Sequence, residues 1–207
     1  MIVETENFLT HEECDWIINH INERYTKAEV LSGEDGHRIA DACWLSRKLP
    51  MIEDIRNRVS KAVNIPTSHM ESFHVIRYKV GGEYKEHVDY FPPEHELAES
   101  HLVNGGQRTT TAIMYLNDNF EGGETEFPRM SLKIQPKKGK LVVWKNVDLM
   151  NSPMESSLHA GLPVKSGVKY LSTLWIRENE FDDSEKESNI DTDTYDSIKS
   201  SNTLTKS

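Results

Sequence analysis

The sequence predicts an α+β fold in which two N-terminal helices pack on a β-sandwich or jelly roll. Three observations carry this expectation. Helix signals lie before residue 66, and runs rich in β-branched and aromatic residues follow at 73–80, 109–116, 140–144 and 169–176. Turn residues punctuate those runs at Gly81-Gly82, Asn117-Asp118, Gly122-Gly123 and Lys138-Gly139. Helices first and strands afterwards is the order of an α+β protein, not of alternating βαβ units.

The first helix should begin after Thr10. A threonine there can accept the N3 amide while Glu13 reaches back to the cap, and Leu9 with Cys14 can staple the entry. Ile17, Ile18 and Ile21 supply its apolar stripe. A second helix should start at Pro50, bury Ile52, Ile55, Val59 and Val63, and stop at Asn64 and Pro66. Two stretches read as loops, 31–38 and 91–107, and the second is long enough to suggest a lid. Beyond Arg177 the chain turns polar and acidic. Residues 178–207 carry nine Asp/Glu against three Lys, a net of −6, with too little apolar surface to order themselves. The expected organisation is therefore a catalytic body over 1–177 and a disordered acidic tail over 178–207.

Composition narrows the function classes. A formal net charge of −10 over 207 residues argues against nucleic acid or an anionic membrane as the main partner. Two cysteines, Cys14 and Cys43, make no disulfide framework and favour a reducing compartment. No apolar run approaches the length of a membrane span, and the first residues do not read as a secretory signal.

Chemistry points to one short stretch. His87-Val88-Asp89 is the one His-x-Asp in the chain, and on a strand residues i and i+2 share a face. An imidazole and a carboxylate so placed, joined by a third ligand from a distant strand, would form a facial triad with open positions for substrate. His159, about 70 residues downstream across the strand-rich region, is the candidate third ligand. His11-Glu12-Glu13 is explained by helix capping, and His69-Met70-Glu71 has no turn pattern around it. Lys169 opens the last strand and shares a face with Leu171, Thr173 and Trp175. Buried there, an unpaired ammonium would be costly unless an anionic ligand met it; the alternative is that it reaches out to water.

The run Arg77-Tyr78-x5-Tyr84-x2-His87-x-Asp89-Tyr90-Phe91 resembles the signature of the prolyl 4-hydroxylases, Fe(II)/2-oxoglutarate-dependent dioxygenases. Gly106-Gln107-Arg108, Thr111, Met114-Tyr115-Leu116, Gly122-Gly123-Glu124-Thr125-x-Phe127-Pro128, Leu158-His159-Ala160-Gly161, Gly167-Val168-Lys169 and Trp175-Ile176-Arg177 follow in the same order. The resemblance implies a double-stranded β-helix (jelly-roll) core with the helices on one sheet. It implies Fe(II) on His87, Asp89 and His159, and 2-oxoglutarate held by Lys169 with hydrogen bonds from Tyr78 and Thr125. It also puts Tyr84, Arg108 and Trp175 on the peptide side. The implied reaction hydroxylates peptidyl proline with dioxygen and yields succinate and carbon dioxide, with ascorbate as supporting reductant. The same chemistry on a free amino acid or other small molecule, or a non-catalytic peptide-binding jelly roll, would use much of the same framework. Lacking a targeting segment, the chain reads as a bare catalytic domain for the cytoplasm, bacterial or virus-encoded.

Overall fold

The computed structural model describes residues 2–21, 25–28, 37–92 and 98–184. Its elements run β1 (Ile2–Thr5), α1 (His11–His20), β2 (Thr26–Lys27), β3 (Asp41–Leu45), α2 (Pro50–Val63), β4 (Phe73–Tyr78), β5 (Tyr84–His87), α3 (Ala98–Leu102) and β6 (Arg108–Tyr115). They continue as β7 (Glu121–Gly122), β8 (Thr125–Phe127), β9 (Leu132–Ile134), β10 (Leu141–Lys145), β11 (His159–Gly161), β12 (Val164–Ser166) and β13 (Lys169–Arg177). The large sheet has the order β1-β10-β6-β13-β4-β3-β2, and a smaller one has the order β5-β11-β8-β9. β7 pairs with β12. Every strand pair is antiparallel. This is the double-stranded β-helix, with helices on one face of the large sheet.

Both N-terminal helices form as the sequence predicts. Thr10 Oγ1 accepts the Glu13 amide at 3.1 Å, and Glu13 Oε2 accepts the Thr10 amide at 2.8 Å. Such a reciprocal cap contributes about 1 kcal/mol. α2 begins at Pro50 and ends where Asn64 turns left-handed, φ 56°. Cys14, Ile17, Ile52, Ile55 and Val59 are fully buried and meet Val75, Ala112, Met114, Leu174 and Ile176 of the sheet. Each large aliphatic group so buried is worth roughly 1.5–3 kcal/mol.

Strand alternation divides the large sheet into two functional faces. Ala112, Met114 and Leu116 face the helices, whereas Ile113 and Tyr115 join the second core with Ile76, Tyr78, Val142, Trp144 and Leu171. Lys169 sits opposite Tyr78, and Trp175 sits opposite Thr111. The second face therefore carries Tyr78 and Lys169 of the candidate cosubstrate residues, and Thr125 comes from β8 of the smaller sheet.

Three expectations change. Residues 91–107 are not structureless throughout, because 98–102 form α3 with Ala98 buried. The structured body also runs past Arg177: the Glu178 and Asn179 amides donate to Gln107 and Gly105 carbonyls, and Asp183 Oδ2 accepts the Ser72 amide at 2.7 Å. Seven residues read as tail from their composition are thus tied to the body as far as Ser184. Their neighbours supply the partners that composition does not reveal. Finally, β4 stops at Tyr78 instead of running to Val80, since Gly81 adopts φ 80° in the turn. The predicted loop over 31–36, the 93–97 part of the suggested lid, and the tail from 185 onward lie outside the described residues. No described helix is long and apolar enough to cross a membrane.

Candidate metal centre and cosubstrate cavity

His87 closes β5, and His159 opens β11 directly opposite it. Asp89 lies two residues beyond His87, past the end of the strand. The ligand-type atoms of His87, Asp89 and His159 all fall within 4.8 Å of one another, and no other such group of His, Cys, Asp or Glu forms among the described residues. Asp89 Oδ1 is 3.8 Å from His87 Nε2, and Asp89 Oδ2 is 3.7 Å from His159 Nε2.

Each imidazole is held from behind. His87 Nδ1 is 2.7 Å from the Lys85 carbonyl, and His159 Nδ1 is 2.8 Å from the Ser157 carbonyl. A carbonyl can only accept, so each Nδ1 carries the proton and each Nε2 presents a lone pair to the cluster. Burial, then the neighbouring His159, pushes the His87 pKa well below the usual histidine range. Neutral imidazole is the form a metal needs. Burial alone would raise the Asp89 pKa, but it lies lowered, and with both imidazoles neutral the Arg108 guanidinium and the Thr111 hydroxyl are the groups that favour the ionised carboxylate. Two neutral nitrogens and one carboxylate oxygen suit a divalent first-row metal with positions left open.

The segment after Asp89 is clamped by a side chain that mimics a strand partner. Gln107 Oε1 accepts the Phe91 amide at 2.9 Å while its Nε2 donates to the Phe91 carbonyl at 3.0 Å. Behind the carboxylate, Thr111 Oγ1 donates to Asp89 Oδ2 at 2.7 Å.

The same cavity is lined by Lys169, Tyr78 and Thr125. Lys169 is only 2% exposed. It does not reach water; its ammonium donates to the Gly123 carbonyl at 2.7 Å and forms no ion pair with any described carboxylate. Burial, opposed by Glu124, pushes its pKa down from 10.5 to about 7. A buried cation so poorly neutralised is a socket for an anion. Gly123, at φ 66°, makes the approach feasible: a Cβ there would come within 3.0 Å of Lys169 Cδ. Thr125 Oγ1 pairs with the Tyr115 hydroxyl at 2.6 Å.

The three residues expected on the substrate side lie at the mouth. Tyr84 stacks on the His87 ring at 3.5 Å, and Arg38 covers its ring at 4.7 Å. The Arg108 guanidinium lies 3.8 Å over Trp175. Tyr84, Arg108, Trp175 and Asp89 all line an outer groove of about 550 Å³ that also takes in Trp44 and His74. Sequence reasoning quoted Thr111, Tyr115 and Gln107 only as members of the motif series and gave them no role, overlooked Asn146, and set Glu71 aside. Thr111 and Tyr115 could have been found from the two-residue period that places them on one face of β6. Glu71 and Gln107 carry no local signal, because long-range partners define their roles.

A His/Asp/His cluster inside a double-stranded β-helix, with a buried ammonium in the same cavity, defines the class of Fe(II)/2-oxoglutarate oxygenases. Comparison with known proteins agrees: residues 73–177 match the 2OG-Fe(II) oxygenase superfamily. The chain belongs to that superfamily, which uses Fe(II), 2-oxoglutarate and dioxygen. It is 34% identical over 177 residues to a putative prolyl 4-hydroxylase of Acanthamoeba polyphaga mimivirus, covering 84% of this chain and 73% of that protein. It is also 34% identical over 201 residues to prolyl 4-hydroxylase 5 of Arabidopsis thaliana, covering 84% and 67%. Among solved structures, the viral collagen prolyl hydroxylase of Paramecium bursaria Chlorella virus-1, in its 2-oxoglutarate complex, superposes with a TM-score of 0.68 at 29% identity over 85% of this chain and 95% of that one. The protein is thus a prolyl 4-hydroxylase-like dioxygenase.

Proposed function

We propose that this protein hydroxylates proline within peptides, with Fe(II) held by His87, Asp89 and His159 and the distal carboxylate of 2-oxoglutarate paired with Lys169. The observation that carries the reading is the joint lining of one cavity by the His/Asp/His cluster and a buried, un-ion-paired ammonium. Bound together, iron and 2-oxoglutarate supply the oxidising chemistry, and the keto acid leaves as succinate and carbon dioxide.

The chain's own residues do the positioning. Lys169 offers a point charge, Tyr78 offers a hydroxyl from the adjacent strand β4, and Thr125 offers one from β8 of the smaller sheet. Ile76, Ile113, Leu171 and Trp144 wall the cavity with apolar surface and exclude water. Tyr84 and Trp175 flank the entrance, and Arg108 stands beside them as a fixed cation. The groove leading to Asp89 is broad enough for an extended peptide, which favours a peptide over a free amino acid. Ascorbate is expected as the supporting reductant that sustains activity. Cys14 and Cys43, buried and not joined in a disulfide, suit a reducing cytoplasm.

The test is anaerobic reconstitution with Fe(II), then oxygen, 2-oxoglutarate and proline-rich peptides. Succinate should form together with a gain of one oxygen atom on proline, located by mass spectrometry. Oxygen found only on free amino acids would move the reading to small molecules. Metal binding with no succinate under any peptide would leave a binding module. Loss of iron in Asp89→Ala is expected, and equal iron in the two proteins would defeat the ligand assignment.

A further inference from the structure

Behind Asp89 the structure holds a chain of hydrogen bonds that the ligand set does not require. Thr111 Oγ1 donates to Asp89 Oδ2 at 2.7 Å, and Asn146 Nδ2 donates to Thr111 Oγ1 at 2.9 Å. Thr111 and Asn146 are both completely buried. Direction is fixed by chemistry. An ionised carboxylate only accepts, so the single hydroxyl proton of Thr111 points at Asp89, and Asn146 must turn its NH2 toward Thr111. The other end of that amide, Oδ1, is buried with no partner among the described residues. Leaving a buried carbonyl unsatisfied is unfavourable. The amide nevertheless keeps this orientation, which is the one that locks the hydroxyl. Asn146 is itself fixed on both sides, its backbone amide on the Thr109 carbonyl at 2.9 Å and its carbonyl under the Met154 amide at 2.9 Å.

We propose that Thr111, locked by Asn146, is a positioning residue that makes Asp89 a one-oxygen metal ligand. The hydroxyl occupies Oδ2 and leaves Oδ1 for the metal. A carboxylate free to turn could offer both oxygens and close a position that 2-oxoglutarate or dioxygen must occupy. The two residues touch neither substrate nor metal. They set how many positions stay open.

This inference rests on the metal reading above, so the experiment separates the two. Mn(II) and anaerobic Fe(II) binding are measured by calorimetry on the full chain, for wild type, Asp89→Ala, Thr111→Val, Thr111→Ser and Asn146→Ala. The visible charge-transfer band that chelated 2-oxoglutarate gives with Fe(II) is recorded for each, as is succinate formed per hydroxylated peptide. Thr111→Val, nearly isosteric, should lessen the band and raise the succinate ratio several-fold while metal affinity holds or rises, because the second carboxylate oxygen joins the metal in place of 2-oxoglutarate. Thr111→Ser should restore the wild-type band and ratio, and Asn146→Ala should shift both in the same direction by a smaller factor. Thr111→Val with wild-type band and ratio overturns the positioning role while Asp89→Ala still loses metal, so the ligand reading stands. Asp89→Ala binding metal like wild type overturns both. Should Thr111→Val not fold, Asn146→Ala decides alone: a wild-type band and ratio there overturn the lock.

Discussion

Arg108 and Glu71 form a two-pronged ion pair at the edge of the groove, Nε to Oε1 at 2.7 Å and Nη2 to Oε2 at 2.8 Å. Glu71 is 1% exposed, and Arg177 Nε lies 2.6 Å from the same Oε1. That second contact is a close charge pairing, not an aligned hydrogen bond, for Arg177 Nε finds no acceptor in good geometry among the described residues, while its Nη1 donates to the His101 and Gly106 carbonyls. Two arginines therefore share one buried carboxylate, and the fork presented beside Trp175 is aimed by Glu71. The turn that delivers Glu71 is itself held by Arg56, whose guanidinium donates to the carbonyls of Glu71, Thr67 and Met70.

Removing the charge of Glu71 should do more than loosen a surface. Glu71→Gln leaves two buried guanidiniums facing each other, and the expected loss is about 3–5 kcal/mol in urea unfolding. In the folded fraction the KM for peptide should rise while the KM for 2-oxoglutarate stays near wild type. Equal increases in both would argue that the cluster only supports the fold.

Lys169 gives a pH dependence whose sign follows from its depressed pKa of about 7. In the free protein the unfolded chain holds the lysine proton up to near pH 10.4, while the folded chain releases it from about pH 7. The unfolded state binds more protons across that window, so stability rises with pH through it, by at most about 1.4 kcal/mol per pH unit. Binding of 2-oxoglutarate needs the ammonium, so its KM should rise over the same window. Lys169→Met should stabilise the ligand-free protein, flatten both profiles and remove 2-oxoglutarate binding. A melting temperature independent of pH in wild type between 7 and 10 would contradict the assignment.

Gly123 is constrained on two counts. Its φ of 66° suits glycine, and an added Cβ would press on Lys169 Cδ and Phe120, both at 3.0 Å. Gly123→Ala is expected to cost about 1–3 kcal/mol and to raise the KM for 2-oxoglutarate through displacement of Lys169. Thermal melts and initial rates at varied 2-oxoglutarate check both parts.

Gln107→Leu keeps the volume of the side chain and removes the clamp on Phe91. The Phe91 amide and carbonyl and the Arg108 amide each lose a partner, so a loss of about 1–3 kcal/mol per orphaned group is expected. Hydrogen exchange should quicken at the Phe91 amide, and metal affinity should fall because the segment carrying Asp89 is less well held. Unchanged exchange at Phe91 would show that other contacts suffice.

Much of this was legible in the sequence, and the limits have physical causes. Local signals gave the caps of both helices and the four long strands, because a capping box and a sustained two-residue period are written in adjacent residues. The short strands Thr125–Phe127, Leu132–Ile134 and His159–Gly161 have too few residues to show a period and exist only through their partners. The three candidate ligands and Lys169 were found because spacing and motif order converge on them. Glu71 was passed over because nothing beside it announces Arg108, 37 residues away. The ties of Asp182 and Asp183 to Asn104 and Ser72 are equally invisible in an acidic composition.

The two faces of β6 and β13 have a consequence for how the chain can change. Met114 and Leu174 look toward the helices, while Tyr115, Lys169 and Trp175 look toward the chemistry. Deleting a single codon inside either strand would exchange these roles from that point on, sending tyrosine or tryptophan into an oily interior and methionine or leucine toward the iron. Length is therefore frozen within these two strands, whereas the connections between strands remain free to lengthen. Descendants of this chain can acquire new partners by remodelling those connections, but only while the central ribbons keep their count of residues.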